Sequence, residues 1–247
     1  DMPFQSIGVQ MAYSYHNQNS YFGLNKYDIK QNSLYGNVIF NSIINNTMNK
    51  FSTGINFTSD DYNEFLFQNT LVDWSRKDNS VGAIFEYTYD NLNNFSLILG
   101  GRVDYHNRLG VFATPRIHAR YVPWEDAVIR ASAGRGKRAA NIFAENQNLL
   151  ASSRQFVVAD TNGKLYGLDP EIAWNYGISF NQKFTLFGKR ADAGFDFYRT
   201  DFQNQAVVDV DASPQQVVFH NLNGKSFANS FQLDFNIELI KHLNLRS

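Results

Sequence analysis

The chain has 247 residues, enough for one large all-β domain or two small ones, with a net charge of -1 and no cysteine. That balance excludes a nucleic-acid binder held by a basic field, and the missing thiols exclude disulfides and thiolate metal sites. Charged residues make up only 18% and aromatics 15%, yet mean hydropathy is negative, which suits a wall with one greasy and one wet face.

No stretch approaches the ~18 consecutive apolar residues that a membrane helix needs, but an alternating strand escapes that test. Period-two alternation recurs along the whole chain. It is weaker over 4–15, 34–44 and 50–59. It is clear at 81–89, where Val81, Ala83, Phe85, Tyr87 and Tyr89 oppose Glu86 and Asp90. At 95–105, Phe95, Leu97, Leu99, Val103 and Tyr105 oppose Ser96, Arg102 and Asp104. Weaker strands follow at 114–122 and 127–135. From Glu171, one face carries Ile172, Trp174, Tyr176, Ile178 and Phe180, the other Glu171, Asn175, Ser179, Asn181 and Lys183. After a weaker strand at 190–203 comes the most regular, 226–239. Phe227, Phe231, Leu233, Phe235, Ile237 and Leu239 there oppose Ser226, Ser230, Gln232, Asp234, Asn236 and Glu238.

These are about ten strands, many near the ~9–11 residues that a tilted strand needs to cross a bilayer. The fold class read from them is all-β, a partial antiparallel transmembrane barrel. The connections are expected to alternate in length. Asn45–Asn49, Asn91–Asn94, Pro123–Asp126 and Thr185–Lys189 read as short turns, which belong on the periplasmic side. His16–Ser33, Asp60–Ser80, Asn107–Ala113, Gly136–Pro170 and Asn204–Lys225 read as long extracellular loops. Pro115, Pro123, Pro170 and Pro214 are placed at strand ends or in loops. Tyr15, Tyr21, Tyr87, Tyr89, Tyr105, Tyr121, Trp124 and Trp174 fall near strand ends, as interfacial girdles require, although tyrosine also simply favours strands.

Catalytic chemistry has no motif behind it. G-x-S-x-G is absent, Gly134–Gly136 lacks the context of a phosphate loop, and His16, His106, His118, His220 and His242 have no ligand spacing. Asp60–Asp61 and Asp209/Asp211 read as solvated loop charge rather than a calcium site. No catalytic residue, cofactor or metal is expected. A basic set is more informative. Arg116, His118 and Arg120 alternate on one strand, Arg130 faces inward on the next, and Arg135 and Arg138 follow at its outer edge. With Asn141, Glu145, Glu171 and Asn175 they form the candidate contact set on the inner wall. Such a stripe contacts an acidic partner or an anionic ligand, or it pairs with wall carboxylates such as Asp104 and Glu171. Tyr21, Phe22, Tyr27, Tyr62, Phe65, Phe67, Phe143, Asn146 and Phe156 lie in the expected loops, as sticky contacts or as loop packing.

Four segments carry a resemblance. They are A-S-A-G-R-G-K-R-A-A-N-I-F-A-E-N from Ala131, Y-G-L-D-P-E-I-A-W-N-Y-G-I-S-F at Tyr166–Phe180, F-D-F-Y-R-T-D-F-Q-N-Q at Phe195–Gln205 and F-H-N-L-N-G-K-S at Phe219–Ser226. In this order they resemble the barrel of TonB-dependent outer-membrane receptors, with P-E…W-N-Y-G the most specific block. The match covers roughly 114–240, and residues 1–113 match in architecture alone. Lys137 stands where the family commonly has an aromatic, and Ala140 where it has proline.

The resemblance implies a 22-stranded barrel of the bacterial outer membrane, filled by a separate N-terminal plug. It also implies import of a bulky scarce nutrient of the ferric siderophore or cobalamin type. The implied partners are the bilayer, the plug, the TonB complex acting through the plug, and a small-molecule ligand such as a metal chelate; nucleic acid is not among them. Residues 1–247 are then expected to be a central to C-terminal part of the wall, ending at Leu243–Ser247 early in a further strand. A passive porin, a non-transport binding barrel and a soluble all-β module stand as alternatives.

Overall fold

The computed structural model describes residues 4–159, 163–240 and 243–246. His242, Ser247 and the 160–162 part of the Gly136–Pro170 connection lie outside the described residues. The wall is one antiparallel meander. Its strands are β1 (Ser6–Phe22), β2 (Asn25–Ile44), β3 (Asn46–Gln68), β5 (Arg76–Asp90), β6 (Phe95–His106), β7 (Gly110–Tyr121), β8 (Ala127–Arg138), β10 (Glu171–Leu186), β11 (Lys189–Asn204), β14 (Ser226–Ile240) and β15 (Leu243–Arg246). The short β4 (Thr70–Asp73) folds back on β3. Consecutive wall strands pair in that order, as expected for an up-and-down barrel wall.

Register sorts the side chains. Ile7, Val9 and Met11 of β1, Val38 of β2, Ile55 and Phe57 of β3, Val81 and Phe85 of β5, Leu99 and Val103 of β6, and Phe231 and Leu233 of β14 all share the outer face and are exposed there. Tyr13, Tyr15 and Tyr105 border this band at one edge, and Tyr121 and Trp124 at the other, all of them exposed. An exposed apolar belt of this extent is lipid-facing surface, and the aromatic borders match the girdle placement. Tyr21 lies well beyond the belt, on the strand overhang. The opposite face carries Gln10, Asn37, Asn41, Ser52, Asn56, Glu86, Arg102, Asp104 and Arg116.

Short turns close one end of the wall as expected. Asn91 Oδ1 accepts the backbone N–H groups of Asn93, Asn94 and Phe95 at 2.9–3.0 Å, so one side chain organises the whole β5–β6 turn. Phe187 and Gly188 both have positive φ, at 52° and 74°, the pattern of a two-residue type I′ hairpin between β10 and β11.

The other end differs from expectation. His16–Ser33, Asp60–Ser80 and Asn107–Ala113 are mostly strand, not long loops. β1 and β2 stay paired up to a two-residue turn at Gly23–Leu24, and β3 runs for 23 residues. The reason is solvent. Beyond the apolar belt the outer face meets water instead of lipid, so it carries Asn17 and Asn19 of β1 and Lys30 of β2, opposite in parity to His16, Gln18 and Gln31. The ladder continues while the alternation that marked it disappears. Pro115 is also inside β7, opposite Gly101, rather than at a strand end.

Among the described residues, only Gly136–Pro170 and Asn204–Lys225 are true long connections, and they fold into one another. The first holds a one-turn helix α1 (Ile142–Glu145), a 3-10 turn at Gln147–Ala151 and β9 (Gln155–Val158). The second holds the hairpin β12 (Ala206–Ser213) and β13 (Gln216–Asn221). β9 adds to β13 in parallel, giving a three-stranded sheet shared by both connections. This cap lies on the polar face of β1–β3 and buries Tyr27, Ile29 and Leu66 of the wall against Ile142, Phe143, Leu150, Leu165, Tyr166, Leu168, Val217 and Phe219. Most of the buried apolar core is therefore in the cap.

Candidate ligand and plug-contact face

The sequence-derived contact set separates into paired and unpaired members. Arg116 of β7 forms an ion pair with Glu86 of β5, across Gly100 of β6. Arg138 bridges Glu171, its cross-strand partner, at 2.6 Å and Glu145 of α1 at 3.0 Å. The Glu171 hydrogen bond is the main cause holding the Arg138 pKa above the ordinary arginine value. Glu145 also accepts the Asn141 backbone N–H at 3.1 Å, so these residues together fix the root of the cap. Asn175 donates to Thr200 Oγ1 of β11 at 2.8 Å. These are wall and cap pairings.

Arg120 and Arg130 behave otherwise. They are direct cross-strand partners on the polar face, and among the described residues neither has an ion pair. Like charges set opposite each other are unfavourable. Both line a polar-face hollow with Glu86, Arg116, His118 and Asn175. A second cavity, of about 780 Å³, is lined by Gln10, Asn41, Ser52, Glu86, Arg102 and Arg116. Asp104 is nearly fully buried and is held by Arg102 rather than by the arginines of β7 and β8.

Arg135 departs from the inner-wall expectation. Its cross-strand partner is Trp174, so strand parity puts it on the opposite face from Arg116 and Arg138. Its guanidinium donates to the Ala113 carbonyl of β7 at 3.2 Å and to Gln203 of β11 at 3.3 Å. It reaches the edge of the second cavity from there.

The most developed polar cluster meets the sequence-derived set at Asn141 alone. Glu64 of β3 is fully buried. Its carboxylate accepts the Tyr27 hydroxyl at 2.8 Å and the Tyr166 hydroxyl at 2.5 Å, and it pairs with Arg76 of β5. Arg76 also donates to Asp78 at 3.1 Å and to Asn141 at 2.7 Å, and stacks over the Tyr62 and Tyr166 rings. Burial pushes the Tyr62 hydroxyl up to about 12 and raises Tyr27 and Tyr166 further, so all three stay protonated, and Tyr27 and Tyr166 donate to Glu64. A buried carboxylate is tolerable only with its lone pairs met, and Glu64 has three donors. Tyr166 and Asn141 belong to the cap, so this cluster pins the cap to the wall. The available sequence signal was parity: Glu64 shares a strand face with Tyr62 and Leu66. It was hidden by reading Asp60–Ser80 as loop.

Of the expected loop aromatics, Phe143 and Tyr27 are buried core, while Tyr21 is exposed. Trp74, Phe143, Phe156 and Tyr166 pack ring against ring around a smaller apolar hollow that Leu66 and Gln68 also line, Phe143 stacking on Phe156 and meeting Tyr166 edge to face.

The comparisons agree with this architecture. The family model described as TonB dependent receptor-like, beta-barrel matches residues 2–245. No match is found among curated proteins. Among solved structures, the chain is similar to the siderophore receptor PirA from Pseudomonas aeruginosa, at 15% identity and a TM-score of 0.66, covering 98% of this chain and 50% of that one. It is similar to the copper transporter OprC, at 12% identity and a TM-score of 0.68, covering 96% and 42%. It is similar also to the FrpB iron transporter from Neisseria meningitidis, at 15% identity and a TM-score of 0.62, covering 96% and 40%. The chain thus spans half or less of the length of these relatives. With its lipid-facing belt, polar inner face and family match over nearly its whole length, the chain belongs to the TonB-dependent receptor β-barrel family of Gram-negative outer membranes.

Proposed function

We propose that the chain forms part of the wall of an active outer-membrane transporter that imports a bulky, scarce nutrient of the ferric siderophore or cobalamin type. Residues 1–247 supply a central to C-terminal part of a 22-stranded wall around an N-terminal plug. TonB acts on that plug, and the wall does no chemistry. The observation that carries the reading is the Arg120–Arg130 pair on the polar face, which has no ion pair among the described residues. Two apposed guanidiniums are stabilised by an anionic surface sliding against them, and plug carboxylates are the partner that fits. Arg116, Arg138, Glu171 and Asn175 keep the surrounding wall rigid.

The test uses the full-length parent in cells. Uptake of its cargo, found by screening ferric chelates and cobalamin, is expected to stop when the proton-motive force is collapsed. Arg120→Glu with Arg130→Glu is expected to cut uptake at least about tenfold, the loss of roughly 1.4 kcal/mol of plug docking, while the barrel still folds. Uptake that survives collapse of the proton-motive force would instead mark a passive channel. Cargo binding without uptake would mark a non-transport receptor.

A further inference from the structure

The β7–β8 ladder runs only from Arg116↔Gly134 to Tyr121↔Ile129. Beyond Arg116, β7 stays paired with β6 as far as Gly110, and β8 stays paired with β10 as far as Arg138. The two strands part from each other while each keeps its other neighbour. Pro115 explains where. Alternate residues of a strand aim their backbone groups at alternate neighbours. The Leu109 and Ala113 carbonyls receive side chains from β8, so their set, which includes Pro115, faces β8. The next ladder donor would be the N–H of residue 115, and proline has none.

Above that point side chains replace the ladder. Arg135 donates to the Ala113 carbonyl at 3.2 Å. Lys137 donates to the Leu109 carbonyl at 3.4 Å and lies 4.1 Å from the centre of the Phe112 ring. Burial, with Lys164 and Arg135 nearby, lowers the Lys137 pKa. Two long, flexible side chains hold this seam where the backbone ladder is missing. The seam also sits at a significant place, because β8 leads from Arg138 directly into the cap.

We infer that the β7–β8 seam above Pro115 is a hinge, at which the upper wall parts so that the cap rooted on β8 and β10 can lift from β2, β3 and β5. Arg135 and Lys137 are its latch. The Glu64–Arg76–Tyr166 cluster is the catch on the far side.

Hydrogen exchange on the full-length protein in detergent tests this. The amides of Val111, Ala113, Arg135 and Lys137 are expected to exchange faster than those of Ile117, Ala119, Ala131 and Ala133. Pro115→Ala, which restores the donor, is expected to slow seam exchange and tryptic cleavage of the cap at Arg154 and Lys164 by roughly two- to tenfold, the effect of one regained hydrogen bond. Arg135→Ala with Lys137→Ala is expected to accelerate both. Seam amides as protected as ladder amides would overturn the proposal. So would a folded double variant, judged by heat-modifiable gel migration, whose cap is cleaved at the parental rate; that readout decides the matter even where Pro115→Ala does not fold.

Discussion

Two residues show how burial sets the behaviour of single side chains. Glu64 is fully buried, and its charge is acceptable only because Arg76 and two tyrosine hydroxyls meet it. Arg76→Ala would leave that carboxylate without a counter-charge, and such breaks cost about 3–5 kcal/mol. The expected outcome is loss of cap protection from protease at temperatures where the parent cap is intact. Glu64→Gln, which keeps size and removes charge, should cost the cap less than Arg76→Ala does, because Arg76 keeps Asp78 at 3.1 Å as its counter-charge.

His106 is the second case. It ends β6, and its Nδ1 accepts the backbone N–H groups of Arg108 and Leu109 at 3.1 and 3.3 Å. That role requires a neutral ring. Burial lowers its pKa, with Lys137 and Arg108 adding to the shift and Asp78 and Asp60 opposing it. A depressed folded pKa means the unfolded chain takes up the proton first. The stabilisation is therefore complete above pH about 6.5 and is lost as pH falls through the lower, folded value. Exchange of the Arg108 and Leu109 amides should accelerate across that window. In His106→Asn the same amides should show no acceleration there.

At the element scale, strand length and membrane thickness explain each other. β3 has 23 residues, about twice the ~9–11 that cross a bilayer, so half of it stands outside as scaffold for the cap. The sequence showed the crossing half through the weaker alternation at 50–59, with Ile55 and Phe57 against Asn56 and Thr58. It did not show the outer half, because the outward face there meets water rather than lipid and carries Asp61 and Asn63 where the crossing half carries Ile55 and Phe57. Glycine has a local role in β10: a Cβ at Gly177 would meet the Tyr198 ring at 2.4 Å, so the absent side chain is the space in which Tyr198 lies across the sheet. The lipid-facing residues make the complementary prediction. Phe231 and Leu99 are exposed on the outer belt. Phe231→Arg should destabilise the barrel by about 2–4 kcal/mol if the residue sits near the bilayer midplane, whereas Ser230→Arg on the inner face should cost far less. Urea titration of the full-length protein in lipid vesicles measures both.

At the scale of the whole molecule, the wall and the cap are stabilised by different solvents. The wall hides its backbone in ladders and offers its apolar residues to lipid. The cap hides its apolar residues in a core, as a water-soluble domain does. Two connections far apart in sequence, Gly136–Pro170 and Asn204–Lys225, share that core through the β9–β13 pairing and cover strands β1–β3 at the other end of the chain.

The sequence by itself determined the wall: its strand order, its two faces, the short-turn end and the family resemblance all rest on local alternation and local motifs, which lipid on one side and water on the other impose residue by residue. It also placed Arg116, Arg120, Arg130 and Arg138 on one face, since parity alone does that. Only the tertiary structure decided which arginines are paired, because Glu86 and Glu145 reach them across strands and loops. Only it revealed the Glu64 cluster and the Arg135 seam. Those depend on contacts between segments about a hundred residues apart, and on a missing N–H at Pro115 whose direction no composition or period records.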